Sequence, residues 1–95
     1  MGLIKSLFLA AKSDTRAYNE AMRIHNAIQI RLSGLDSVSP IQLDQAIQDI
    51  SGDKIISQGV LQAVGFKSII DSHKPIDFNK LFDAILMELN KRYQG

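Results

Sequence analysis

The chain has 95 residues and a formal net charge of +1, and this length allows one small domain with a single core. Its hydrophobic fraction of 45% is typical of a globular protein and argues against disorder. The charge is not the basic surplus of a nucleic-acid-binding protein, and the absence of cysteine excludes disulfides, thiolate metal sites and cysteine catalysis. We therefore expect a single cytoplasmic domain with no nucleic-acid partner.

Apolar residues recur at helical spacing along almost the whole chain, and no run of strict alternation is long enough to predict a strand. The expected fold is therefore all-α, a small bundle of four to five helices over residues 1–95. A first helix is predicted over residues 2–12. Its apolar stretch is broken by Lys5 and lacks a cleavage signal, so we expect neither a signal peptide nor a membrane span.

The second and third helices have clear boundaries in the sequence. The second is predicted to start at a cap within Ser13-Asp14-Thr15 and to end near Leu32, before Gly34. The third begins at Ser39-Pro40-Ile41-Gln42, because this order places a capping serine, a first-turn proline and a capping-box glutamine. Ser51-Gly52-Asp53 then breaks the chain.

The second half of the chain predicts two further helices. One begins at Ile56-Ser57 and ends at Gly65. Residues 66–74 are compatible with a helical turn or a loop, which Pro75 closes. The last helix is capped by Asp77, and its apolar residues form one stripe: Phe78, Leu81, Phe82, Ile85, Leu89 and Tyr93.

The segment Gly34-Leu35-Asp36-Ser37, followed by Val38 and a helix, resembles the phosphopantetheine-attachment motif of acyl and peptidyl carrier proteins. Ser37 falls on the serine that this family modifies, and Asp36 precedes it. The resemblance implies a covalent 4′-phosphopantetheine on Ser37 that tethers acyl or aminoacyl thioester intermediates of biosynthesis. It also implies N-terminal helices over residues 1–33 and a carrier-like core over residues 34–95.

A carrier has no active site of its own, so the chemistry would belong to its partners. The resemblance implies a phosphopantetheinyl transferase, which uses coenzyme A, and acyl-processing enzymes. In carriers the helix after the serine is an acidic docking face, and residues 36–50 contain three aspartates with no Lys or Arg. Val38, Ile41 and apolar residues of the helix over 57–64 would line a cleft for the acyl chain. The implied docking residues are Val38, Ile41, Asp44, Gln45 and Asp49.

Other interpretations of the same residues stay open. Asp36-Ser37 within Gly34–Pro40 is also typical of any loop that enters a capped helix. The chain would then be a non-enzymatic helical interaction module, such as an immunity protein, an inhibitor or an assembly factor. An enzyme is not expected, because no nucleophile, base and orienting acid stand out as a set.

Partial calcium-site patterns give an alternative fold. Asp49-Ile50-Ser51-Gly52-Asp53 begins like a calcium loop but lacks the required glycine and bidentate glutamate that should follow. The segment Ile76–Phe82 resembles the exit of an EF-hand, with Ile76 where paired loops meet, so a calcium-free EF-hand-like pair is possible. His25 and His73 have no second ligand at metal-site spacing. We expect no metal site and predict both histidines to be surface residues.

Overall fold

A computed structural model describes residues 15–66 and 72–94 of the chain. Within these ranges the backbone forms four helices: α1 over Thr15–Leu32, α2 over Pro40–Ser51, α3 over Lys54–Val64 and α4 over Phe78–Gln94. The all-α prediction is confirmed, as are the end of the second helix and the starts of the third and last. The helix predicted over residues 2–12 lies outside the described residues, and so do residues 67–71 of the undecided segment.

α2 begins where its capping pattern predicts. The Ser39 hydroxyl accepts a hydrogen bond from the Gln42 backbone N–H at 3.2 Å, and the Gln42 side-chain oxygen accepts one from the Ser39 N–H at 2.9 Å. At the other end Gly52 has φ +71° and donates its N–H to the Gln48 carbonyl. These bonds satisfy backbone groups that a helix otherwise leaves to water.

α3 begins two residues earlier than predicted, at Lys54 rather than at Ile56-Ser57. Asp53 is the cap, because its Oδ1 accepts the backbone N–H groups of the second and third helical residues at 2.8 and 3.2 Å. Its carboxylate also meets the positive end of the helix dipole, which favours an acidic cap. Ser57 therefore lies inside the helix, where it is fully buried.

The four helices pack in a ring, in which α1 contacts α2 and α4, and α3 contacts the same two neighbours. One apolar core fills the ring and takes residues from every helix. The stripe predicted for α4 supplies Leu81, Ile85 and Leu89 to this core, whereas Tyr93 is 38% exposed. Burial of each large apolar side chain stabilises the fold by roughly 1.5–3 kcal/mol. The largest fully buried apolar residues are Ile24, Ile28, Val38, Leu43, Ile47, Val60, Leu81 and Ile85.

A backbone bridge joins the loop after α1 to the segment before α4. The Val38 N–H donates to the Lys74 carbonyl at 2.7 Å, and the Lys74 N–H donates to the Val38 carbonyl at 3.2 Å. α1 with α2, and α3 with α4, are thus two helix–loop–helix units whose loops pair antiparallel. The EF-hand-like alternative placed its first loop at Asp49–Asp53 and the pairing position at Ile76, and neither takes part in this bridge. Ile76 packs against the core instead.

Asp53 makes the stability of the chain depend on pH. Partial desolvation of the carboxyl opposes its ionisation, but hydrogen bonds from the N–H groups of Ile56 and Ile55, together with the Arg92 guanidinium, lower its pKa. A carboxyl with a lowered folded pKa stabilises the fold above its unfolded pKa of about 3.9. This contribution is lost as the pH falls through the folded value.

We expect Asp53→Asn, which keeps a capping oxygen but removes the charge, to lower the free energy of unfolding at neutral pH by about 1 kcal/mol. At an acidic pH low enough to protonate the wild-type Asp53 carboxyl, the difference from wild type should shrink, because the wild type has then lost this charge as well. Urea denaturation at both pH values measures it, with the exposed Asp83→Asn as control. Equal losses at the two pH values would contradict a role for the charge.

Candidate functional site

An open groove lies between α2 and α3, with a volume of about 740 Å³. A cavity of this size can hold a small ligand or several side chains of a partner. Its walls are mainly apolar, formed by Pro40, Ile41, Ile55, Leu61 and Phe66. Polar side chains stand among them, from Asp44, Lys54, Gln58, Gln62 and, on α4, Glu88.

Two large apolar side chains of this groove are exposed to solvent. Ile41 on α2 is 58% exposed and Ile55 on α3 is 69% exposed. A single exposed isoleucine is ordinary on a protein surface, but two that line one groove form an apolar patch typical of interaction sites. The sequence prediction missed Ile55, because the predicted helix began one residue after it.

Asp44 and Ser57 join the two walls of the groove. The Ser57 hydroxyl donates to Oδ1 of Asp44 at 2.5 Å, and the Gln48 side-chain amide donates to the same oxygen at 2.8 Å. Because Ser57 is fully buried, its bond to the carboxylate is largely shielded from water and correspondingly strong. Asp44, which the carrier resemblance implied as a docking residue, therefore holds α2 against α3.

Gly59 leaves space for the end of the Glu88 side chain, which reaches from α4 to the groove. A Cβ atom added at Gly59 would overlap the carboxyl group of Glu88, whose side chain would have to move aside. Glycine weakens a helix interior because it has the most backbone freedom to lose. The close approach of Glu88 gives a reason for glycine at this position of α3.

Asp36 and Ser37 lie in the loop between α1 and α2, before the helix rather than at its start. Asp36 is exposed and Ser37 is half-buried. The cap of α2 is Ser39, two residues further along, and Pro40 has no backbone N–H to offer. The resemblance implied a serine at the helix start, where N–H groups would receive a phosphodiester. In this chain the capping box occupies that position.

The remaining residues of the implied docking face are divided between the core and an ion pair. Val38 is fully buried and forms the loop bridge, so it presents no surface. Arg31 and Gln45 each donate a hydrogen bond to the Asp49 carboxylate at 2.8 Å. Both bonds lower the pKa of Asp49, and the bond from Arg31 has the larger effect. α2 therefore presents less negative charge than its sequence suggests. Of the implied docking set, only Ile41 is both exposed and part of the groove wall.

His25, predicted to be a surface residue, is half-buried between α1 and α4. Its Nε2 lies 2.9 Å from the Phe78 carbonyl oxygen, and its ring meets those of Phe78 and Phe82 edge-on. His25 lies four residues after Ala21 and three before Ile28, and both of these residues are fully buried. This helical spacing is the sequence signal that His25 faces the core. His25 is thus a packing residue, whereas His73 is exposed as predicted.

In the ranges 15–66 and 72–94, no three His, Asp or Glu side chains converge to form a metal site. None of the helices described there has both the length and the apolarity needed to cross a membrane. Comparison with protein-family models, curated proteins and solved structures gave no match to this chain. The groove and the loop that contains Ser37 are therefore the two candidate functional sites of the chain.

Replacing Ser57 by alanine removes the hydroxyl that joins the groove walls. We expect the free energy of unfolding to fall by about 1.5 kcal/mol, because a bond to an ionised acceptor is lost. Chemical denaturation at neutral pH measures this. In the control, Ser33→Ala removes an exposed hydroxyl bonded to the Ile30 carbonyl, and we expect a change within about 0.5 kcal/mol. A Ser57→Ala variant as stable as wild type would contradict the role of the Asp44 bond.

Proposed function

We propose that this chain is a non-enzymatic interaction module that holds an apolar segment of a partner protein in the groove between α2 and α3. The observation that carries the proposal is the exposure of Ile41 and Ile55 on the two helices that form the groove. A bound partner would remove both side chains from water, and burial of each contributes roughly 1.5–3 kcal/mol. Neither side chain is part of the core, so binding need not disturb the fold.

The chemistry of the groove favours an amphipathic helix as the bound segment. Such a helix presents apolar anchors at positions i, i+3, i+4 and i+7, which can lie between Ile41, Ile55 and Phe66. The exposed amides of Gln58 and Gln62 can hydrogen-bond its polar flanks. Addition of a strand would need a sheet edge, and the described residues contain only one isolated bridge.

Selection from a displayed library of helical peptides tests this function. We expect panning against the full chain to enrich peptides with apolar residues at helical spacing. The double variant Ile41→Asp/Ile55→Asp should weaken an enriched peptide by about 100-fold, because two buried contacts are replaced by buried charges. Isothermal titration calorimetry measures the affinity.

The matched control for this selection is Ile30→Asp. Ile30 lies on α1, is 76% exposed and is not part of the groove wall. This variant should bind the enriched peptide as wild type does. The proposal is wrong if no peptide is enriched, or if the Ile30 variant and the groove variant lose affinity equally.

A second candidate function is a carrier protein with 4′-phosphopantetheine on Ser37. Ser37 is half-buried and lies in the loop that leads into α2, and this position in a loop supports the carrier function. The α2–α3 groove also supports the carrier function, because Ile41 and Leu61 line the groove in the way the carrier resemblance implies for an acyl cleft. The buried Val38 is not part of that wall, and the helix cap lies beyond Ser37.

Intact mass distinguishes the carrier from the interaction module. The full chain is incubated with a promiscuous phosphopantetheinyl transferase and coenzyme A. A carrier gains one phosphopantetheine group, keeps the gain in Ser33→Ala and loses it in Ser37→Ala. No gain from folded wild-type protein would reject the carrier function and leave the Gly34–Ser37 motif as a loop between two helices.

A further inference from the structure

We infer that the groove between α2 and α3 selects a partner helix with an acidic residue, whose carboxylate pairs with Lys54 beside the apolar anchors. This inference rests on the proposed function, because it requires the groove to hold a helix of a partner protein. It adds the charge that this helix must carry. Apolar burial alone would accept many amphipathic helices, whereas a charge at a fixed position separates one class of helix from the others.

Three charged side chains line the groove, and two of them already have partners within the chain. Glu88 forms an ion pair with Lys91 at 3.1 Å, and the Glu88 side chain is only 17% exposed. Asp44 is half-buried, and its Oδ1 accepts hydrogen bonds from Ser57 and Gln48. Neither carboxylate therefore depends on a bound partner for its hydrogen bonds.

Lys54 is the third charged side chain of the groove wall. It is exposed, and among the described residues its side chain makes no ion pair or hydrogen bond. The neighbouring Asp53 is not available to it, since that carboxylate caps α3 and pairs with Arg92. The carboxylates of Asp53 and Glu88 thus each have a cation of their own, and Lys54 is left as an unmatched positive charge.

The place of Lys54 in α3 fixes where the acidic residue of the partner has to lie. Lys54 directly precedes Ile55, so a carboxylate that pairs with it lies next to the anchor that covers Ile55. Ser57, which holds Asp44, is three residues further along, about 4.5 Å in helical rise. A second carboxylate over Asp44 would be repelled. The inference is therefore one acidic residue at the start of α3, and not an acidic helix along the whole groove.

Selection of helical peptides against the full chain tests this inference, because the enriched sequences show which charge the groove prefers. We expect Asp or Glu to be enriched at one fixed position beside an apolar anchor. Lys54→Glu should weaken binding of such a peptide about tenfold, because an attraction is replaced by a repulsion. A glutamate in the first turn of α3 suits the helix dipole, so this variant should keep the fold. Isothermal titration calorimetry measures the affinities.

Lys80→Glu is the matched control. Lys80 is also exposed and lies in the first turn of a helix, α4, but it is not part of the groove wall. This variant has the same net charge as Lys54→Glu and should bind the peptide as wild type does. A peptide with lysine in place of the enriched acidic residue should bind Lys54→Glu more tightly than wild type. That reversal identifies a direct contact, because a change in overall charge would affect both variants equally.

The groove variants separate failure of this inference from failure of the proposed function. Peptides could be enriched and lose affinity in Ile41→Asp/Ile55→Asp, yet carry no acidic residue at a fixed position or bind Lys54→Glu and Lys80→Glu equally well. The acidic partner is then wrong and the groove function stands. If no peptide is enriched, the groove function and the acidic partner are both wrong.

Discussion

The pairing of Val38 with Lys74 is the constraint on which the arrangement of the helices depends. Two reciprocal backbone hydrogen bonds tie the loop after α1 to the segment before α4, and the Val38 side chain is fully buried at the same place. α2 begins two residues after Val38 and α4 begins four residues after Lys74. The starts of these two helices are thus held near one point. α1 and α3 complete the ring, since each packs against both.

The groove follows from the way this small ring closes. α2 and α3 are joined by only Gly52-Asp53, and the buried bond between Ser57 and Asp44 holds them together. Four short helices can cover the inner face of each other, but a domain of this size has too little chain to cover every outer face as well. Ile41 and Ile55 stay uncovered by residues 15–66 and 72–94. Both functions proposed for the chain use this remaining apolar surface.

The loop that contains Ser37 shows how a short motif can be explained in two ways. Gly34 has φ +86° and lies just past the end of α1, in a backbone conformation that side chains disfavour. Val38 enters the core and Ser39 caps α2. The residue types at these three positions follow from the fold alone. They do not require a modified serine, so the chemistry of Ser37 has to be established by its own experiment.

The sequence by itself determined the all-α class and most helix boundaries, because a cap bonds its own backbone two or three residues away. Ser39 with Gln42, and Asp77 with the first turn of α4, are such local contacts. The start of α3 was missed because Asp53 and Ser57 can both cap, and only packing turned Ser57 toward Asp44, thirteen residues earlier. Ile28 and Ile55 are chemically identical, yet one is fully buried and the other 69% exposed. Tertiary structure alone decided that difference, because periodicity shows which face of a helix is apolar but not whether another helix covers it.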